Sequence, residues 1–124
     1  MDITKGLSLA GALCVGRGAV VSFVGAAGKT TAMFRLAAEL GAAGLRVVTS
    51  TTTHISQDQV KLSPASVTPD HIDLLAARLD RYGQCLVAGS PDGTGRVFGA
   101  PPDLVETLVA RTDVDVVILE ADGS

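Results

Sequence analysis

The chain has 124 residues, enough for one domain, and 47% of them are hydrophobic, which argues against a disordered chain. The net charge is −3 and the basic residues form no cluster, so the composition argues against nucleic acid as a partner. Cys14 and Cys85 are far apart and belong to no C-x-x-C motif, which gives no support to structural zinc or a disulfide framework. We interpret both as buried, small apolar residues.

The first predicted element is a short amphipathic helix over residues 7–14. Lys5 and the apolar run after it resemble a signal peptide, but the run is too short to span a bilayer. Leu13 also lies where a lipoprotein signal needs a small residue, and the first core strand begins almost at once, at Ala19. No other segment is long and apolar enough for a membrane, so we expect a cytoplasmic protein with no membrane partner.

The following elements alternate between strand and helix. Apolar, β-branched runs indicate strands, and apolar residues at helical spacing, such as Met33, Leu36 and Leu40, indicate helices. In chain order, the prediction is a strand over 19–24, a helix over 30–42, a strand over 45–49, a polar loop over 55–69, a helix that begins at Pro69, a strand over 84–89, a short edge strand or loop over 96–99, a helix over 101–111 and a strand over 114–119.

This alternation predicts the fold class. Strands separated by helices favour right-handed crossovers and a mainly parallel sheet covered on both faces. We therefore predict a three-layer α/β fold, with residues 1–124 in a single domain. The chain stops on its own acidic motif, which would leave an unfinished sheet edge. We expect it to be an incomplete, N-terminal part of a longer domain.

The most informative motif follows the first strand. A small turn leads there into Gly-Lys-Thr-Thr and then directly into a helix. Helix starts carry unpaired N–H groups and partial positive charge, which suit phosphate oxygens, and small residues allow the backbone to approach the anion closely. This order is typical of a P-loop NTPase-like fold. The residues predicted to hold the phosphates of ATP or GTP are Gly25, Ala26, Ala27, Gly28, Lys29, Thr30 and Thr31.

Two residues of this loop have individual roles. Lys29 is the predicted catalytic cation for the β- and γ-phosphates, and the Thr30 hydroxyl is a predicted ligand of Mg²⁺. The loop has the form G-x-x-G-K-T-T, because position 23 is Phe23 and the first glycine is Gly25. This shorter form resembles the phosphate loop of Mur-type peptide ligases.

The second motif is the acidic end of the last predicted strand. An apolar strand there runs into Glu120-Ala121-Asp122-Gly123. Phosphate-loop enzymes use a carboxylate at such a position to bind Mg²⁺ or to orient the attacking water. We predict Glu120 as a catalytic residue and both Glu120 and Asp122 as metal ligands, and which of them lies nearer the metal is open. The E-x-x-G spacing resembles that of metal-insertion GTPases.

The third motif is a run of hydroxyl groups after the second strand. Ser50 is followed by Thr51, Thr52, Thr53 and His54. Threonine hydroxyls can complete a magnesium shell or contact a γ-phosphate, although threonine also favours strands. We predict that residues 51–54 contribute to the nucleotide site. His71, in the following helix, is interpreted as a surface residue.

Together, the three motifs resemble the selenium-dependent molybdenum hydroxylase accessory family known as YqeC. The residues that carry this resemblance are Val21–Thr31, Val48–Ile55 and Leu119–Ser124. The family's usual loop is G-A-G-G-K-[ST], from which this chain departs at Ala27. The resemblance implies a role in maturing molybdenum hydroxylases with a labile selenium, with such a hydroxylase or its cofactor-loading machinery as partner. The family also continues well beyond its E-A-D-G-S block.

Three functional hypotheses follow. The leading one is a magnesium-dependent protein that binds and hydrolyses ATP or GTP as a maturation factor. The second is an ATP-dependent ligase or kinase that acts on a small acid, in line with the Mur-like loop. The third is a nucleotide-binding module without catalysis. The sequence does not choose between ATP and GTP.

Overall fold

The computed structural model describes residues 19–23, 29–52, 54–91 and 93–120. The predicted helix over 7–14 and Cys14 lie outside these residues. The elements are β1 (Ala19–Phe23), α1 (Lys29–Ala42), β2 (Val47–Thr51), β3 (Ile55–Ser56), α2 (Gln57–Val60), β4 (Ser66–Val67), a 3-10 helix (Pro69–Leu74), α3 (Leu75–Tyr82), β5 (Gln84–Val87), β6 (Arg96–Val97), α4 (Pro102–Ala110) and β7 (Val116–Glu120).

Within the described residues, the main sheet has five strands in the order β1-β7-β2-β5-β4. All four pairings between neighbouring strands are parallel. The predicted α/β class with a mainly parallel sheet is therefore confirmed. A separate antiparallel ribbon joins β3 to β6, so residues 96–97 form a short strand.

Helices cover both faces of the sheet. Side chains alternate along a strand, so Val116 and Ile118 of β7 pack with α1, while Val117 packs with α3 and α4. Leu36 of α1 and Leu79 of α3 belong to these two separate apolar clusters. This arrangement makes three layers, with strands buried on both sides, as is typical of parallel sheets.

The predicted polar loop over 55–69 is wrong, because this segment contains β3, α2 and β4. Ser56 begins α2 with a capping box: its hydroxyl accepts from the Gln59 N–H, and the Gln59 side chain accepts from the Ser56 N–H. The pattern S-x-x-Q was therefore present in the sequence. The two-residue strand β4 exists because it pairs with β5, which no local pattern reveals.

Some boundaries also differ from the prediction. The helix predicted from Pro69 begins as a 3-10 helix with His71 in a non-helical conformation, and regular α-helix starts only at Leu75. The second strand runs over residues 47–51 instead of 45–49, so Ser50 and Thr51 belong to the sheet. None of the described helices has the length and apolar character needed to cross a membrane.

Candidate functional site

The described parts of the three predicted motifs meet at one edge of the sheet. In the register of the parallel strands, Glu120 of β7 lies between Phe23 of β1 and Thr51 of β2. The three strands therefore run in the same direction, and their carboxyl ends lie at the same edge of the sheet. The chain leaves β1 at this edge and enters α1 at Lys29. Open parallel sheets bind their ligands outside the carboxyl ends of the strands.

A buried hydrogen bond connects α1 to the end of β7. The Thr30 hydroxyl donates to Oε2 of Glu120 over 2.5 Å. A distance this short is typical of a hydroxyl that donates to a carboxylate. The two residues are only 8% and 6% exposed, respectively. The contact places a hydroxyl oxygen and two carboxylate oxygens within one small volume at the start of a helix.

This pair of side chains has the chemistry of a partial magnesium site. Mg²⁺ prefers oxygen ligands and is usually held by one or two protein groups together with water and phosphate oxygens. Across the described ranges, no group of three or more His, Cys, Asp or Glu side chains could hold a metal ion. Thr30 and Glu120 supply oxygen donors of the type that Mg²⁺ prefers, so this pair fits two of its ligand positions.

The hydroxyl-rich run has two different roles. The Ser50 hydroxyl donates to the Val87 carbonyl over 2.8 Å, so it connects β2 to β5 inside the sheet. Thr51 is completely buried next to Glu120. Thr52 is exposed, and its N–H donates to the Glu120 carbonyl over 3.1 Å. Among the described members of the run, Thr51 and Thr52 are therefore the ones that the fold places beside Glu120.

Comparison with known proteins identifies the family. A family model described as YqeC protein matches residues 21–124, a range that includes both Thr30 and Glu120. The chain belongs to the YqeC family. A curated relative, "Uncharacterized protein YqeC" of Escherichia coli (strain K12), is 37% identical over 108 residues. The match covers 87% of this chain and 42% of the relative, so the chain spans about two fifths of that protein's length. No solved structure matches the chain significantly.

Several predicted site residues of this YqeC family member lie outside the described part of the chain, namely Gly25, Ala26, Ala27, Gly28, Thr53 and Asp122. Lys29 is the first residue of α1, and Thr31 follows Thr30 with an exposed side chain. The predicted roles of these residues stay predictions.

The two histidines occupy different surroundings. His54 is exposed and packs against the Phe98 ring, with the ring centroids 4.9 Å apart. His71 is exposed as predicted, and its Nδ1 lies 2.9 Å from the Thr68 hydroxyl. The contact between His54 and Phe98 was not predicted, because it depends on the β3–β6 ribbon.

Cys85 is buried, which confirms the interpretation of this residue as apolar core. Burial raises the pKa of its thiol to about 11, although the nearby Arg78 partly opposes the shift. A thiol with so high a pKa stays protonated and unreactive at neutral pH. Cys85 is therefore a structural residue rather than a nucleophile.

Proposed function

We propose that this YqeC family member binds a complex of Mg²⁺ with ATP or GTP at the edge formed by β1, β7 and β2, and hydrolyses the nucleotide. The observation that carries the proposal is the buried hydrogen bond from Thr30 to Glu120. It joins the hydroxyl that follows Gly28-Lys29 to the carboxylate at the end of the neighbouring strand. In phosphate-loop enzymes these are the two protein groups that organise Mg²⁺.

Each group has a defined role in this proposal. The N–H groups at the start of α1 bind phosphate oxygens, and Lys29 neutralises the charge that develops on the transferred phosphoryl group. Thr30 and Glu120 hold the metal, which would supply further charge neutralisation when bound. Glu120 also orients the attacking water, and Thr51 and Thr52, its neighbours at the end of β2, respond to the γ-phosphate.

The biological role proposed for the whole protein is maturation of selenium-dependent molybdenum hydroxylases. Its support is the family resemblance. The chain spans 42% of the curated relative's length, and the test therefore uses the full-length protein. Affinity purification of the full-length protein with and without nucleotide tests it. We expect a molybdenum hydroxylase or a protein of its cofactor-loading machinery to co-purify, and equal recovery with an unrelated bait would contradict this role.

Calorimetric titration of the full-length protein with ATP and GTP, in Mg²⁺ or in EDTA, tests nucleotide binding. Lys29→Ala should weaken binding at least about tenfold, which corresponds to ~1.4 kcal/mol. Arg35→Ala is the matched control, because Arg35 is an exposed cation on the same helix. Equal affinity in wild type and Lys29→Ala, or no binding in either, would contradict the proposal.

Phosphate release by the purified protein then distinguishes hydrolysis from transfer. A hydrolase turns over nucleotide and Mg²⁺ alone, whereas a ligase or kinase shows little turnover without its acceptor. Turnover that is lost in Lys29→Ala and kept in Arg35→Ala would support the proposed hydrolase.

A further inference from the structure

A second concave site lies at the carboxyl end of the sheet, on the side away from β1. It is a cavity of about 400 Å³ between α2, the ends of β4 and β5, and β6. Its walls include Val60 of α2, Val67 of β4, Ala88 after β5 and Val97 of β6. Small-molecule sites typically range from ~300 to ~1,000 Å³ and have mainly apolar walls, so both the size and the lining suit a small organic ligand.

The position of the cavity places it near the Thr30–Glu120 pair without overlap. Only β2 separates β5 from β7, and neighbouring strands are spaced by ~4.8 Å, so the β5 wall lies about 10 Å across the sheet from Glu120. Both sites occupy the edge where parallel sheets bind ligands. The described residues that line the cavity do not include Thr30, Thr51 or Glu120.

The charge at the cavity determines the class of ligand. Lys61 carries the only charge among the described lining residues. Its ammonium lies 3.9 Å from the Asp58 carboxylate, but the two side chains are 80% and 97% exposed. An ion pair this exposed to water contributes little, so it does not prevent Lys61 from binding an anion.

We propose that this cavity binds a small organic anion, with its apolar body against Val60, Val67 and Val97 and its anionic group against Lys61. Thr68, which also lines the cavity, adds polar surface beside the apolar walls. The anionic group is a carboxylate or a phosphate, since an ammonium recognises both as a point charge. This inference goes beyond the proposed nucleotide site and does not depend on it.

Protein-observed NMR on the full chain tests the proposal without nucleotide or metal. The probes are hexanoate, hexyl phosphate and the neutral hexanamide, which share one apolar chain. We expect all three to shift the amide signals of Val67 and Gly89. The anions should bind about two- to fivefold more tightly than the amide, because an ammonium as exposed as that of Lys61 contributes only modestly to an ion pair. The ratio between the two anions identifies the preferred head group.

Lys61→Gln provides the decisive comparison, and an overlay of its spectrum with the wild-type spectrum checks the fold. The preference for anions should disappear in Lys61→Gln, while hexanamide binding stays within about twofold and Arg35→Gln behaves as wild type. The proposal is wrong if no probe shifts Val67 or Gly89, or if Lys61→Gln keeps the preference. Because these samples contain no nucleotide, either result is independent of nucleotide binding at Thr30 and Glu120.

Discussion

Thr30 and Glu120 are separated by 90 positions in the chain, yet the hydroxyl of one donates to the carboxylate of the other in a buried contact. The contact exists because β7 inserts between β1 and β2 in the sheet. This strand order brings the start of α1 to the end of β7. It therefore joins two sequence motifs into one candidate site.

Replacing Thr30 tests the hydroxyl of this pair. Thr30→Ala should weaken binding of magnesium-nucleotide at least about tenfold, because one oxygen ligand is lost and the Glu120 carboxylate loses a hydrogen bond. Thr30→Ser keeps the hydroxyl and should stay within about threefold of wild type. Calorimetry in Mg²⁺ and in EDTA measures both variants. An equal loss in Thr30→Ser would show that the hydroxyl is not the important group.

Replacing Glu120 tests the carboxylate. Glu120→Gln keeps the size of the side chain and its ability to accept from Thr30, but it removes the negative charge that a divalent cation needs. We expect phosphate release to fall about 100-fold or more, whereas nucleotide binding in EDTA changes little. Glu106→Gln, on the exposed face of α4, is the charge-matched control. Similar turnover in both variants would exclude Glu120 from the reaction.

The opposite end of the sheet provides a prediction about stability. Asp115 is 3% exposed and accepts from the backbone N–H of Arg46 over 2.9 Å and from its guanidinium over 3.4 Å. Asp115→Ala should lower the free energy of unfolding by about 1–3 kcal/mol, because the partly buried donors of Arg46 lose this acceptor. Asp113→Ala removes a more exposed carboxylate, which pairs with Arg111, and should cost less than about 1 kcal/mol. Urea titration measures the free energy of unfolding of both variants. An equal loss of stability in the two would contradict the larger role given to Asp115.

Two glycines should respond to alanine in opposite directions. A Cβ at Gly89 would lie 3.0 Å from the Phe98 Cβ and 3.2 Å from its carbonyl oxygen, so Gly89→Ala should cost about 1–3 kcal/mol. At Gly41, within α1, the nearest atoms to a Cβ would be 3.7 Å away, and alanine should stabilise the helix by about 0.5–1 kcal/mol. Thermal unfolding of the two variants measures the difference. A higher melting temperature for Gly89→Ala would show that the chain at Phe98 adjusts freely.

Cys85 makes stability depend on pH in the alkaline range. Burial raises the pKa of its thiol to about 11, above the value of ~8.5 in an unfolded chain. Between these two pKa values the folded state therefore binds more protons than the unfolded state. The contribution of the Cys85 thiol to the free energy of unfolding is complete below the unfolded pKa and is lost as pH rises through the folded pKa. Urea titrations from pH 8 to pH 11 should show a steeper decline for wild type than for Cys85→Ala. An equal decline of the unfolding free energy with pH in the two proteins would contradict the raised pKa of Cys85.

Part of the candidate site could be predicted because its signals are local. The strand before Lys29 and the helix that begins there each follow from residue type and spacing, and so does the carboxylate at the end of β7. The structural role of Ser50 could not be predicted in this way. Ser50 comes directly before the predicted site residues 51–54. Its hydroxyl donates to the Val87 carbonyl of β5, and this contact depends on which strand lies next to β2.

The amino-acid sequence by itself determined the alternation of strands and helices, and with it the parallel α/β class, because periodicity and turn residues act within a few positions. Only the tertiary structure decided the order of the strands, the pairing of Thr30 with Glu120 and the cavity beside Lys61. These features arise from contacts between residues that are far apart in the chain. Such contacts form when whole apolar faces are buried together, and no local pattern encodes which faces will meet.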